Sequence, residues 1–211
     1  GGVALNISKL RARGEEIKGN KGVGRGVIPV AKLLEDAFNY VDQLGQRPGA
    51  GAIYLNIFHA DVLEFLETKK INADEKNRIQ TLSLGLNVPD KFLELAKSDS
   101  ELHLFHPYTI FKEYGIHMDD MNLNEMYDEL VANPNVTSNV IKARDMLQKI
   151  AITQFESGYP YLVFVDRAND ANPLKEFGRI KMSNLCTEIF QVQTTSKITD
   201  YGEDDEIGYD I

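Results

Sequence analysis

Ala52-Ile53-Tyr54-Leu55-Asn56-Ile57-Phe58 reads as a buried strand: a short, mostly apolar run of β-prone residues. Asp61 follows directly and opens a helix through about Leu66, since an aspartate can accept from the first free N–H groups of a helix. Upstream, Val3-Ala4-Leu5-Asn6-Ile7-Ser8 reads as a short strand or buried extended segment. From Ile28, the positions Val30, Leu33, Leu34, Ala37, Phe38 and Val41 follow helical spacing, with Pro29 near the start, where its missing N–H is harmless. Downstream, residues 79–88 alternate as a strand and stop at Pro89, and Asp90 can cap a short helix carrying Phe92, Leu93, Leu95 and Ala96. Helical patterns return near Tyr108–Tyr114, Asn124–Val131 and Val140–Phe155, and Tyr161–Val165 reads as a strand. Strands separated by helices define the α/β class. There is no internal repeat or low-complexity tract, and the polar stretch Asn133–Asn139 around Pro134 reads as a loop.

Composition narrows the chemistry. A chain of 211 residues, 43% hydrophobic and 26% charged, makes one large soluble domain or two small ones. No apolar run approaches the roughly 18–20 residues of a membrane span, and no signal peptide is visible. The single cysteine, Cys186, excludes an internal disulfide and a cysteine-rich zinc site, and it fits a reducing compartment such as the cytoplasm. A net charge of −9 argues against nonspecific nucleic-acid binding. The charge is uneven, however. Lys9, Arg11, Arg13, Lys18, Lys21 and Arg25 face only Glu15 and Glu16, whereas Asp200 to Asp210 is strongly acidic. One basic, glycine-rich loop in an acidic chain suits a small polyanion. His59, His103, His106 and His117 lack metal-ligand spacing and read as structural or surface residues. Glu203-Asp204-Asp205-Glu206 reads as a solvated turn, without the spaced ligands of a calcium loop. The chain also has the look of a piece of something longer, beginning in core-like sequence and stopping at an apparent strand.

Three segments carry candidate chemistry. Residues 14–26 hold Gly14, Gly19, Gly22, Gly24 and Gly26, and could cradle phosphate through backbone N–H groups with cationic help, or be a solvated loop. Residues 43–51 place Gln43 and Arg47 around Gly45, which suits reading a nucleobase edge but equally suits a helix-to-strand turn. Asn184-Leu185-Cys186-Thr187-Glu188 sets an amide and a carboxylate beside the only thiol. Because Arg179-Ile180-Lys181-Met182 alternates as a strand does, an extended continuation would put 184, 186 and 188 on one side. A lone cysteine can also be an inert packing residue.

Read in order, Gly1-Gly2-Val3-Ala4-Leu5, Leu10-Arg11-Ala12, Gly45-Gln46-Arg47-Pro48-Gly49-Ala50, Asn72-Ala73-Asp74-Glu75-Lys76, Glu156-Ser157-Gly158-Tyr159-Pro160-Tyr161 and Ser183-Asn184-Leu185-Cys186-Thr187-Glu188 resemble the large catalytic (alpha) subunit of class I ribonucleotide reductase, most closely the bacterial class Ib type. The resemblance implies that residues 1–211 are one piece of a ten-stranded α/β barrel, about one five-stranded half plus a finger loop at 183–189. It implies radical-based reduction of ribonucleoside diphosphates to deoxyribonucleotides. Cys186 would become a thiyl radical that removes the 3′-hydrogen, Glu188 would be the general base on the 3′-hydroxyl, and the Asn184 amide would hold the substrate. Leu185, Thr187 and Gly2 would be further substrate contacts. Residues 14–26 would be a first specificity loop, with Arg11 and Lys18 on the phosphates of a deoxynucleoside triphosphate carrying Mg. Residues 43–51 would be a second loop, where Gln43 and Arg47 relay effector identity to the substrate base. The implied partners are a small (beta) subunit whose dimanganese or di-iron centre supplies the radical, a second large subunit in a homodimer, and a redoxin-type dithiol, with no nucleic acid and no membrane. The family's reducing cysteine pair, upstream effector residues, phosphate-binding strands and radical-relay tyrosines are not in this sequence, so the chain alone is expected not to turn over. The competing reading is a noncatalytic nucleotide-binding module in which Cys186 merely packs.

Overall fold

The computed structural model describes residues 2–41 and 44–193. The described chain runs β1 (Gly2–Asn6), α1 (Ile28–Tyr40), β2 (Ala50–Asn56), α2 (Val62–Glu67), β3 (Ser83–Asn87), α3 (Asp90–Ser98), β4 (Glu101–Phe105), α4 (Pro107–Tyr114), α5 (Leu123–Ala132), β5 (Ser138–Lys142), α6 (Ala143–Ser157), β6 (Tyr161–Val163) and α7 (Val165–Asp170). Four strands form one parallel sheet in the order β1-β2-β3-β6, and β4 pairs antiparallel with β5. Each parallel neighbour is reached through helical chain, as parallel pairing requires. Among the described residues the sheet stays open, as expected of part of a barrel. No helix there is long and apolar enough to cross a membrane.

The two faces of the sheet are built differently. Ile53, Leu55, Leu84 and Leu86 point to one side and pack, fully buried, in a core that includes Ile28 and Ala31 of α1, Phe65 and Leu66 of α2, and Phe92 of α3. The intervening residues point to the other side, because strand side chains alternate. They are small or polar: Gly2, Ala4 and Asn6 on β1, Ala52, Tyr54 and Asn56 on β2, Ser83, Gly85 and Asn87 on β3. A smaller cluster forms there, in which Ala4, Ala52, Tyr54, Val163 and Val165 meet Met182 and Leu185 from the distal chain. Gly85 is required at its place: a Cβ there would fall 2.2 Å from Tyr54 Cε1, so the Tyr54 ring occupies that space.

Several expectations are corrected. Asp61 precedes α2 but does not cap it. Its carboxylate instead accepts from the backbone N–H of Arg13 at 3.0 Å and of Val27 at 3.1 Å. Asp90 lies inside α3 behind Pro89. Its own N–H donates to Asp166 Oδ2 at 2.6 Å, so the helix start is served from another segment. Residues 79–82 precede the strand rather than belong to it, and Val163 ends β6 two residues early because α7 begins at Val165. The β4–β5 pair was not expected. Val140 and Ile141 continue the apolar spacing of α6, but pairing with His103 and Leu102 holds them extended, and the helix starts only at Ala143. Arg179–Met182 is not a strand, since side chains rather than a neighbouring strand take its backbone groups: Gln193 Oε1 accepts from Lys181 N–H at 2.8 Å, and Asn87 donates to Lys181 O at 2.6 Å.

Candidate active site

The root of the distal loop is held by three asparagines at the C-terminal ends of β1, β2 and β3. Asn6 Nδ2 donates to Asp119 Oδ2 at 2.7 Å and to Lys181 O at 2.9 Å. Asn56 Nδ2 donates to Asp119 Oδ1 at 2.8 Å, and Asn87 Nδ2 takes the same Lys181 carbonyl. The Lys181 ammonium pairs with Asp120, which also pairs with Lys9 at 3.1 Å and is held below the usual carboxylate range: burial opposes its charge, but the two lysines outweigh that. Amides suit this task, Asn56 and Asn87 being buried and Asn6 half-buried, because each presents two donors and an acceptor without a charge to desolvate.

From that root the loop crosses the small-residue face. Leu185 lies against Gly2, where an added Cβ would come within 2.1 Å of Leu185 Cδ2. Tyr54 donates its hydroxyl to Leu185 O at 2.7 Å, and burial pushes its phenol up to about 12. The tip is a tight turn closed by the Ser183–Phe190 bridge and by Asn184 N–H to Ile189 O at 3.2 Å. Thr187 sits at φ +67°, and its hydroxyl bonds back to Cys186 O.

On this turn, a loop rather than a strand, the Glu188 carboxylate binds the Asn184 amide and the Cys186 backbone: Oε1 accepts from Asn184 Nδ2 at 2.9 Å, and Oε2 accepts from Cys186 N–H at 2.5 Å. Desolvation works against the Glu188 charge, but its own N–H, the Asn184 amide, the Cys186 N–H and Ser183 outweigh it and hold the carboxyl below the usual range. Glu188 is therefore ionised near neutral pH and able to take a proton. Cys186 is exposed, and Tyr161 points its hydroxyl at Sγ from 3.7 Å.

The first glycine-rich loop is tied to itself. Gly14 N–H donates to Gly24 O at 2.8 Å, Gly22 N–H to Gly14 O at 3.1 Å, and Ile17 and Asn20 exchange two bonds of 3.0 Å. Those N–H groups are thus engaged within the loop. The buried Glu15 accepts from Ala12 N–H at 2.6 Å and from Tyr108 N–H at 2.9 Å, while burial raises its pKa. His59 is wholly buried: Asp61 N–H donates to Nδ1 at 3.0 Å, which leaves Nε2–H to donate to Leu10 O at 3.0 Å. Burial depresses its pKa, so the ring is neutral. The Arg11 guanidinium lies over the Tyr108 ring at 4.1 Å, and its buried Nε has no hydrogen-bond partner among the described residues. Lys18 is exposed in the turn at φ +49°.

The second loop contrasts with it, Leu44 to Pro48 all being exposed, Arg47 included. Gln43 lies outside the described residues. Among the described residues no hydrogen bond or ion pair joins Lys18 or Arg47 to the cysteine-bearing turn, and no group of three or more His, Cys, Asp or Glu could hold a metal ion.

Sequence reading did not pick out Tyr54, Tyr161, Asp119 or the asparagine layer. A signal for the last was present: Leu5-Asn6-Ile7, Leu55-Asn56-Ile57 and Leu86-Asn87-Val88 repeat an asparagine inside an apolar strand end.

The described residues thus form an open parallel α/β sheet with a cysteine-bearing turn laid across its small-residue face. Residues 1–201 match the model of the ribonucleotide reductase barrel domain, and the chain belongs to that family. It is 54% identical over 211 residues to the ribonucleoside-diphosphate reductase subunit alpha of Bacillus subtilis, covering all of this chain and 30% of that protein. It is 50% identical over 197 residues to the subunit of that name in Mycoplasma pneumoniae, covering 93% of this chain and 27% of the relative. With the Helicobacter pylori subunit alpha it shares 40% over 194 residues, 90% of this chain and 24% of the relative. The chain therefore spans less than a third of the length of these relatives.

Proposed function

We propose that this chain is the cysteine-bearing part of a ribonucleoside-diphosphate reductase alpha subunit and that Cys186, Glu188 and Asn184 are its reacting cluster. The observation that carries this is the Glu188 carboxylate, bonded at once to the Asn184 amide and to the Cys186 backbone. A carboxylate fixed beside an exposed thiol supplies a proton acceptor and a hydrogen-atom carrier within reach of one sugar ring. Cys186 presents the S–H whose hydrogen atom would be removed by an oxidant that a dimetal small subunit would supply. The sulfur then takes the 3′-hydrogen of a ribonucleoside diphosphate, which restores S–H, and Glu188 accepts the 3′-hydroxyl proton. The 2′-hydroxyl leaves as water, and a redoxin-type dithiol in the cytoplasm supplies two electrons and two protons as it closes to a disulfide. The Cys186 S–H then returns its hydrogen atom to C3′, restoring the sulfur radical. Asn184, Leu185, Thr187 and Gly2 contribute the adjoining substrate surface.

The same reading gives the glycine-rich loops to the effector. Arg11 and Lys18 take the phosphates of a deoxynucleoside triphosphate with Mg, and Arg47, with Gln43, relays its identity to the substrate base across a homodimer of alpha subunits. Side chains rather than loop amides make the phosphate contact, which the internal bonding of residues 14–24 favours. An inert Cys186 in a noncatalytic module would be buried among aliphatic groups; its exposure beside Glu188 speaks for the catalytic reading.

The test uses the complete alpha subunit with its small subunit and reductant, and measures turnover of the four diphosphates under each effector. Glu188→Gln is expected to slow turnover by roughly 10²–10⁴-fold while substrate still binds, the usual effect of losing a general base. Arg47→Ala is expected to blur the dependence of substrate choice on effector while effector affinity changes less. Wild-type turnover by Glu188→Gln would contradict the site, and an unchanged preference pattern in Arg47→Ala would contradict the second loop.

A further inference from the structure

We propose that Tyr161 is a positioning residue for the reacting sulfur, its phenol donating the hydrogen bond that orients the Cys186 thiol. The inference rests on the reading of Cys186 as the reacting group and adds a residue to it.

The placement follows from strand register. Tyr54 of β2 stands opposite Gly85 of β3, and Gly85 stands opposite Tyr161, the first residue of β6. Residues in register share a face, so two tyrosines flank one glycine on the side the finger covers. The glycine leaves room for the Tyr54 ring, and the two phenols grip adjacent residues of the turn. Tyr54 holds the Leu185 carbonyl at 2.7 Å, and the Tyr161 hydroxyl is aimed at Cys186 Sγ from 3.7 Å. One bond fixes the backbone just before the cysteine; the other fixes the sulfur itself.

Tyr161 is in turn held from behind. Its ring lies 5.2 Å from that of Tyr159, centroid to centroid, and the Tyr159 hydroxyl accepts from Ser83 Oγ at 3.2 Å. Lys69 caps the stack with Nζ 4.5 Å from the Tyr159 centroid. A side chain braced in this way presents its hydroxyl at one place, whereas an isolated cysteine moves its sulfur among the staggered positions by rotation about Cα–Cβ. A thiol that must receive and return a hydrogen atom needs that rotation restricted, since small errors in aim between reacting groups are costly.

A phenol suits the task because it remains a donor across the working pH range. Burial and the adjacent sulfur both push the Tyr161 ionisation upward. The titratable groups around it are Cys186 and Glu188 on the finger, Tyr159 beside it, Tyr54 on β2, and Lys69 beyond Tyr159.

The experiment uses the complete alpha subunit with its small subunit and reductant. Tyr161→Phe keeps the ring and removes the donor. It is expected to lower kcat roughly tenfold, the scale of one lost hydrogen bond, with KM and effector binding unchanged. A second variant carries a ring-fluorinated tyrosine at 161, whose phenol ionises at lower pH. It is expected to match wild type while protonated and to lose turnover as rising pH removes the donor, over a range where wild type is flat. Wild-type kcat in Tyr161→Phe, or a fluorinated variant whose pH profile parallels wild type, would overturn the proposal. If Tyr161→Phe fails to fold, the fluorinated variant decides alone. Glu188→Gln in the same assay separates the two claims. Its collapse beside wild-type Tyr161 variants removes only the positioning role, whereas its full activity removes the site on which that role rests.

Discussion

The two faces of the parallel sheet come from the same strands and obey opposite rules. On the helix side β2 and β3 carry Ile53, Leu55, Leu84 and Leu86, all 0% exposed, with the buried Gly51 leaving room for the Phe38 ring of α1. On the finger side the same strands carry alanine, glycine, serine, asparagine and one tyrosine. The first face gains stability from burial. The second gives some of that up, because the space and hydrogen-bond donors it keeps are occupied by the finger. Covered on both faces, β2 and β3 therefore alternate mainly large aliphatic groups with small or polar ones.

That contrast can be broken from either side. The largest effect on stability is expected on the helix side, where Leu84→Ala should cost about 2–5 kcal/mol, the usual range for a leucine truncated in a tight core. Denaturant unfolding of the complete subunit reads this, and turnover well below the unfolding transition should remain near wild type. A large loss of turnover without loss of stability would mean that the helix side also positions the site.

Gly85→Val should do the reverse. Its side chain would meet the Tyr54 ring, displace the phenol from Leu185 O and shift the finger, and misplacement of about 1 Å can cost roughly 10²-fold in rate. Overpacking should destabilise by only about 1–3 kcal/mol. Equal turnover in Gly85→Val and wild type would show that the Tyr54 contact is incidental.

A smaller effect sharpens the helix side. Glu35, on α1, accepts from the N–H groups of Gln80 at 2.6 Å and Thr81 at 2.7 Å and pairs with Lys32 at 2.8 Å. Burial opposes its charge, yet these partners prevail and lower its pKa to about 2. A depressed carboxyl contributes stability that is complete above its unfolded value and is lost as pH falls from about 4.5 toward 2. The full shift corresponds to about 3 kcal/mol; discounted for solvent screening the contribution is on the order of 1–2 kcal/mol, and Glu35→Gln should remove that part of the acid dependence of unfolding.

What could be read from sequence follows the same division. β2, α1 and α5 were legible because large apolar groups recur at the period of their element. β4 and β5 were not, since five-residue strands pair only through contacts 33–41 residues apart, 39 between Leu102 and Ile141. The cluster Asn184, Cys186 and Glu188 was legible as a set of residue types, but its assembly was not. An extended chain predicted convergence by alternation, whereas the chain makes a tight turn with Thr187 at positive φ, in which Glu188 binds the Asn184 amide and the Cys186 backbone. Asp61 shows the same limit, because a residue suited to cap its own helix served a loop 48 residues upstream in Arg13. Tyr161 carries no local signal at all; only the register with Gly85 brings it to the sulfur.

The central claim is that the small-residue face exists to hold Cys186 as the reacting group. It is tested most directly by Cys186→Ser in the complete alpha subunit, with deoxyribonucleotide formation and effector binding measured on the same preparation. A serine keeps the turn and its backbone bonds, but its O–H bond is too strong to pass a hydrogen atom. The expected result is no detectable product with effector binding as in wild type. Appreciable turnover by the pure variant would contradict the account.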